Sequence, residues 1–210
     1  SRLLIVFLIP LFLGSISFLS FQPFNLFFIN FFILPTLFLI VTYINKRSKN
    51  TYRNKPYYIN LFYVGYCFGI GFFLFGTYWI SKSLEHDQMF SSLIPITIIL
   101  IPLFLGIFYG LGILACGKFI NMNLQSILLF SIAISSVDFI RSKVLSGFPW
   151  NLWAYSWSWF NEILQILNPI GLFAFNLITI TFYLIPVILF LKKFKYKNLV
   201  IFTSLLLFFS

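Results

Sequence analysis

Residues 59–81 read INLFYVGYCFGIGFFLFGTYWIS, a stretch without a single charged side chain. A helix rises 1.5 Å per residue, so a run of this length covers about 35 Å, more than the roughly 30 Å of a bilayer's hydrocarbon core. Inside lipid the backbone must satisfy its own hydrogen bonds, and a continuous helix does so. The Tyr78-Trp79 pair near the end of the run suits a membrane–water boundary.

Working outward, the same character recurs over 3–21, 26–44, 93–116, 125–141 and 169–191, with a shorter run at 199–210. The pattern predicts an all-α integral membrane protein, a polytopic helix bundle of about seven spans with the last one incomplete. Composition agrees. The 210 residues hold 14 Lys or Arg and 4 Asp or Glu, so 9% are charged, while 60% are hydrophobic and 31 are Phe. Soluble domains carry about 25% charged residues. Too few polar groups remain to cover a water-soluble domain, and disorder is excluded by the same numbers.

The net charge of +10 would suggest nucleic acid in a soluble chain. Here position matters more than sum. With the N-terminus cytoplasmic, the inner loops carry Arg2, the five cations of 45–58, Lys118 and the four of 192–197. Only Lys82, Arg141 and Lys143 fall outside. The final run of 12 residues extends about 18 Å, short of the core thickness, and the first residue is Ser1 rather than Met. The expectation is an N-terminal piece of a longer protein that heads outward after residue 210.

Few segments offer chemistry. Gly65 and Gly69, like Gly106 and Gly110, are spaced i, i+4, which lets helices approach closely or leaves a groove for a lipid chain. Cys67 and Cys116 lie in apolar runs and read as small buried hydrophobes rather than as a disulfide or zinc framework. Glu85, His86 and Asp87 are consecutive, so they point in different directions and read as a solvated loop. Asp138 and Arg141 stand i, i+3 on one helical face, either as a structural ion pair or as a headgroup or substrate contact.

The region 142–168 holds four of the five Trp. Gly147-Phe148-Pro149-Trp150 must turn, because Gly and Pro break a helix. Trp157, Phe160, Ile163, Leu164 and Leu167 form a helical stripe, which predicts a helix over about 156–168 lying in the outer interface. It serves as an aromatic anchor or as part of a site that handles lipid. No nucleophile–base–acid set, phosphate loop, metal motif, cofactor motif or nucleic-acid motif is present.

Four segments in order carry a resemblance: SFLSFQPFN at 17–25, GYCFGIGFFLFGTYWISKSL at 65–84, DFIRSKVLSGFPWNLWAYS at 138–156 and QILNPIGLFAFNLI at 165–178. Together the sequence resembles the membrane domain of bacterial apolipoprotein N-acyltransferases. That resemblance implies eight spans in the bacterial inner membrane and a periplasmic nitrilase-like domain between the seventh and eighth. It implies transfer of an acyl chain from a phospholipid onto a catalytic Cys as a thioester. The chain then passes to the amine of a diacylglyceryl-cysteine lipoprotein, with no cofactor and no nucleic acid involved. The family's Glu, Lys and Cys belong to the nitrilase-like domain, so neither Cys67 nor Cys116 is that nucleophile. On the same resemblance, Gly147, Phe148, Pro149, Trp150 and Tyr155 shape the approach of lipid or lipoprotein. Trp79 joins them at the span end, and Asp138 and Arg141 are polar supports. Trp153 and Ala154 stand where relatives commonly have small residues or Gly. Two other readings stay open: a non-catalytic membrane scaffold on the same bundle, and a small transporter. The latter expects inverted repeats and polar groups at mid-membrane. The sequence has no half-to-half repeat and keeps its ionisable groups at span ends.

Overall fold

The apolar runs fold as helices, as lipid demands. A computed structural model describes residues 2–51, 56–78, 92, 94–144, 147 and 149–191, and those residues form helices and no strand. Helix α1 (Ile9–Ser17) is preceded by a π-helical turn at Leu4–Leu8 and followed by a 3-10 turn at Phe18–Ser20. The chain then breaks at 21–26 before α2 (Asn30–Thr51). Next come α3 (Pro56–Gly76), α4 (Ile94–Gly117) and α5 (Leu124–Arg141). After a 3-10 turn at Trp153–Trp157, two single turns, α6 (Asn161–Leu164) and α7 (Leu167–Ile170), lead into α8 (Leu172–Tyr183), which a 3-10 segment continues to Phe190.

Among the described residues, five helices are long and apolar enough to cross a membrane: Phe27–Arg47, Tyr57–Gly76, Ile94–Gly117, Leu124–Arg141 and Leu172–Phe190. The expected first span at 3–21 is a shorter apolar helix, Leu4–Ser20. The run 199–210, the Glu85-His86-Asp87 loop, Trp79 and Phe148 lie outside the described residues.

The expected single helix over 156–168 is broken into the 3-10 turn, α6 and α7. Two local causes act. Phe160 is extended, at φ −100° and ψ 97°, which ends the first turn. Pro169, inside α7, has no N–H to donate to Gln165, so that rung of a continuous ladder is missing. Gly171 then takes φ +80°, a value few side chains tolerate, and redirects the chain into α8.

Outward-facing positions are apolar. Phe32, Ile99, Leu100, Ile132 and Ile178 are all exposed large hydrophobics. So continuous an apolar exterior has no place in water and a natural one in lipid. The interior packs apolar side chains such as Phe38, Phe72 and Trp153 together with small and polar residues, including Ser17, Ser131, Ser135, Asn176 and Thr179. Lipid tails are as apolar as Leu, so helices associate through close packing rather than hydrophobic exclusion. A Cβ added at Gly69 would stand 2.8 Å from Gly106 Cα, and on the other side of α3 one added at Gly71 would stand 2.7 Å from the Ser15 nitrogen. The glycines therefore let α3 press directly on both α4 and α1.

One end of the bundle is basic. There Asn45 accepts from the Tyr57 hydroxyl at 2.7 Å and donates to the main-chain oxygens of Lys118 (3.3 Å) and Ile120. Arg2, which donates to Asn60, together with Lys46, Arg47 and Lys118, belongs to this end. At the opposite end α1 and α3 finish, α2 begins and α5 stops at Arg141. The aromatic segment after Gly147 packs there.

Candidate functional site

A carboxylate and a guanidinium inside an apolar bundle need partners, because desolvation costs several kcal/mol per ion. Asp138 and Arg141 are 0% and 1% exposed. One turn apart on α5, they pair at 3.1 Å between Arg141 Nη2 and Asp138 Oδ1. Tyr109 of α4 donates its hydroxyl to the same Oδ1 at 3.2 Å. Asn176 of α8 donates Nδ2 to Oδ2 at 3.0 Å. One carboxylate thus ties three helices together.

The network extends into the segment after Gly147. Arg141 Nη1 donates to the main-chain oxygen of Trp150 at 2.8 Å, and its guanidinium lies 4.9 Å from the Phe73 ring centroid. Trp153 Nε1 donates to the Tyr109 hydroxyl at 3.1 Å. The Ala154 N–H donates to Asn176 Oδ1 at 3.0 Å. Ser156 donates to the Trp153 main-chain oxygen at 2.6 Å and shares a 2.7 Å hydrogen bond with the Tyr183 hydroxyl. The Trp153 ring stacks on Phe72 at 4.9 Å. Stacked aromatic pairs add about 0.5–1.5 kcal/mol beyond their buried area. The segment is therefore anchored to α3, α4, α5 and α8 of the bundle.

The turn needs unusual backbone. Gly147 takes φ +79° and Asn151 φ +56°. At Gly147 a Cβ would also sit 2.6 Å from the Ser142 main-chain oxygen. Asn tolerates the left-handed region better than most residues because its short side chain causes little clash.

Beside the network lies a cleft of about 780 Å³. Three sequence segments form its walls: Phe18 to Phe24, Phe75 to Tyr78, and Trp150 to Ser158. Its volume falls within the roughly 300–1,000 Å³ of ligand pockets. Aromatic rings dominate the lining, and no charged side chain belongs to it among the described residues. Burial holds the Tyr155 phenol above its ordinary pKa, with the Arg141 charge opposing that shift to a lesser degree. Tyr155 is thus a neutral hydrogen-bond donor at physiological pH.

The structure brings Trp150 and Tyr155 together at the cleft wall. Gly147 and Pro149 lie in the turn that leads to it, while Phe148 and Trp79 are outside the described residues. Asp138 and Arg141 do not line the cleft; they pair with each other beneath the turn. Neither Cys67 nor Cys116 lines it, and both thiols are free. No group of three potential metal ligands exists among the described residues. Sequence reasoning missed Tyr109, Asn176 and Ser156. Asn176 did leave a signal: it is an amide inside the apolar run LFAFNLITITFY, and polar groups within spans are rare without a partner.

Comparison with known proteins covers all three of these segments. The family model of the apolipoprotein N-acyltransferase N-terminal domain matches residues 13–185. An apolipoprotein N-acyltransferase of Bradyrhizobium diazoefficiens is 30% identical over 82% of this chain and 31% of its own length. That of Rickettsia prowazekii is 30% identical over 95% of this chain and 38% of its own. That of Rhodopseudomonas palustris is 28% identical over 86% of this chain and 33% of its own. The chain spans about a third of the length of these curated relatives. With a family model covering most of its residues and an apolar helical bundle to match, the chain belongs to the apolipoprotein N-acyltransferase family, as part of its N-terminal membrane domain.

Proposed function

We propose that this chain is the membrane part of an enzyme that moves an acyl chain from a phospholipid to the N-terminal amine of a diacylglyceryl-cysteine lipoprotein. The observation that carries this reading is the cleft. It is large, aromatic and uncharged, and it opens where α3 ends and where the chain breaks after Ser20. A site of this kind takes an acyl chain from the surrounding lipid and has nothing to hold a soluble anion.

On this reading the bundle lies in the bacterial inner membrane with its basic end in the cytoplasm and the cleft at the periplasmic face. In the sequence, eleven of the 14 cations fall in the segments assigned to the cytoplasmic side. Trp150 and Tyr155 wall the acyl site, and the Asp138–Arg141 pair holds the turn that carries them. The thioester-forming Cys with its Glu and Lys belongs to a nitrilase-like domain outside residues 1–210, and this membrane part has no acyl transfer of its own.

The test is complementation. The full-length gene whose product includes residues 1–210 is expressed in bacteria depleted of their own apolipoprotein N-acyltransferase. A reporter lipoprotein then gains the mass of one fatty-acyl group on its N-terminal peptide. A membrane-inserted product that leaves that mass unchanged contradicts the proposal.

A further inference from the structure

Three polar side chains of the segment at the cleft, Asn151, Tyr155 and Ser158, make no hydrogen bond to the protein among the described residues, and of these Asn151 is the one seated over a glycine. The Trp150 oxygen, the Ala154 N–H and the Ser156 hydroxyl all bind groups of the bundle. The Asn151 amide lines the cleft and has no hydrogen-bond partner among the described residues. It is held in place nonetheless. Its backbone occupies the left-handed region at φ +56°. Its Nδ2 lies over Gly76, the last residue of α3, in the space a Cβ there would fill. Any other residue at position 76 would push the amide away.

A half-buried amide seated over a glycine, fixed by left-handed backbone and without a protein partner, points to a ligand group. Its chemistry narrows the choice. The lining carries no charge among the described residues, and Arg141 is committed to Asp138 and the Trp150 oxygen. A phosphate would call for a cation, whereas a neutral amide matches a neutral carbonyl. The cleft sits where apolar spans end, which is the depth of the ester groups of a glycerolipid. We propose that the Asn151 amide donates a hydrogen bond to an ester carbonyl of a diacyl glycerolipid whose acyl chain occupies the cleft, and that Gly76 makes room for this contact. This inference rests on the acyl-chain reading of the cleft and adds the group that recognises the ester.

The experiment compares binding of dipalmitoyl phosphatidylethanolamine with that of its dihexadecyl ether counterpart, which lacks both carbonyls. The intact protein is used in detergent micelles, with binding read by native mass spectrometry. One neutral hydrogen bond predicts a preference for the diester of about fivefold. Asn151→Gly keeps the φ +56° backbone and removes the amide; it binds both lipids with nearly equal affinity. Gly76→Ala displaces the amide from the opposite wall and gives the same loss. Size-exclusion profiles confirm that both variants remain folded. Equal binding of the two lipids by the unaltered protein overturns the ester contact while leaving the acyl cleft standing. So does a diester preference that survives in Asn151→Gly. If the unaltered protein binds neither lipid, the acyl-chain reading fails and the contact with it.

Discussion

Arg141 Nη1 lies 2.8 Å from the main-chain oxygen of Trp150, so the ion pair inside the bundle also holds the residue that walls the cleft. Through this bond the end of α5 positions a loop that a turn sequence alone would leave free to move. Asn176 does the same from α8 by gripping Asp138 and the Ala154 N–H at once.

Removing the carboxylate should cost more than removing the amide. Asp138→Ala strips the acceptor from Arg141, Tyr109 and Asn176 together and leaves a buried cation unpaired. Breaking a buried pair this way costs about 3–5 kcal/mol. Asn176→Ala leaves fewer groups unsatisfied, at about 1–3 kcal/mol. Thermal unfolding in detergent, followed by near-ultraviolet circular dichroism, should rank Asp138→Ala below Asn176→Ala and both below the unaltered protein. Equal stability of Asp138→Ala would show that the network carries no load.

The glycine contacts predict a second stability order. Gly69→Leu drives a side chain into Gly106 and the Tyr109 Cβ, which lie 2.8 and 3.1 Å from even a bare Cβ. Overpacking of this kind costs about 1–3 kcal/mol or more where the neighbour is backbone. Leu111→Ala, on the exposed face of α4, removes contact with lipid only and should leave the unfolding temperature nearly unchanged.

Trp150→Ala keeps the backbone oxygen that Arg141 needs and deletes the cleft wall. Lipoprotein N-acylation by the gene product should fall about tenfold or more, as for other large aromatic contacts. Its level in the membrane should stay the same. Full N-acylation in this variant would remove Trp150 from the site.

Tyr155 predicts a pH effect. Its phenol is held above the ordinary value of 10.0 in the folded protein, mainly by burial. The folded state therefore holds this proton more tightly than the unfolded state. That stabilisation is fully present below pH 10 and is lost as pH rises through the folded value. The stability difference between the unaltered protein and Tyr155→Phe should stay constant up to about pH 9 and shift against the unaltered protein above pH 10. A difference that stays flat to high pH contradicts the burial of the phenol.

Most of the bundle was legible because lipid leaves the chain little choice: uncharged runs become helices, and α3 ends within residues of where its polarity changes. The i, i+4 glycines announced the α3–α4 contact for the same reason, since only small residues admit close backbones. The segment 156–168 was harder. Its apolar stripe fits one helix, but the missing Pro169 donor and the extended Phe160 divide it, and a period-based reading weighs neither. Trp150 and Tyr155 were picked out by aromatic content and by resemblance, and both reach the cleft. Asp138 and Arg141 were visible as a pair, but what they grip was not. Tyr109 and Asn176 lie 29 and 38 residues from Asp138, and the Trp150 oxygen is backbone, which a sequence does not display as a partner.

The most direct test of the account locates the acyl chain. A phosphatidylethanolamine bearing a photoreactive group near the end of one acyl chain is bound to the protein in detergent micelles and irradiated, and the labelled peptides are mapped by mass spectrometry. The account predicts labelling concentrated in 18–24, 75–78 and 150–158, competed away by unlabelled lipid and reduced by Trp150→Ala. Competable labelling confined to outward faces such as Ile99 and Leu100, with none in those three segments, would contradict it.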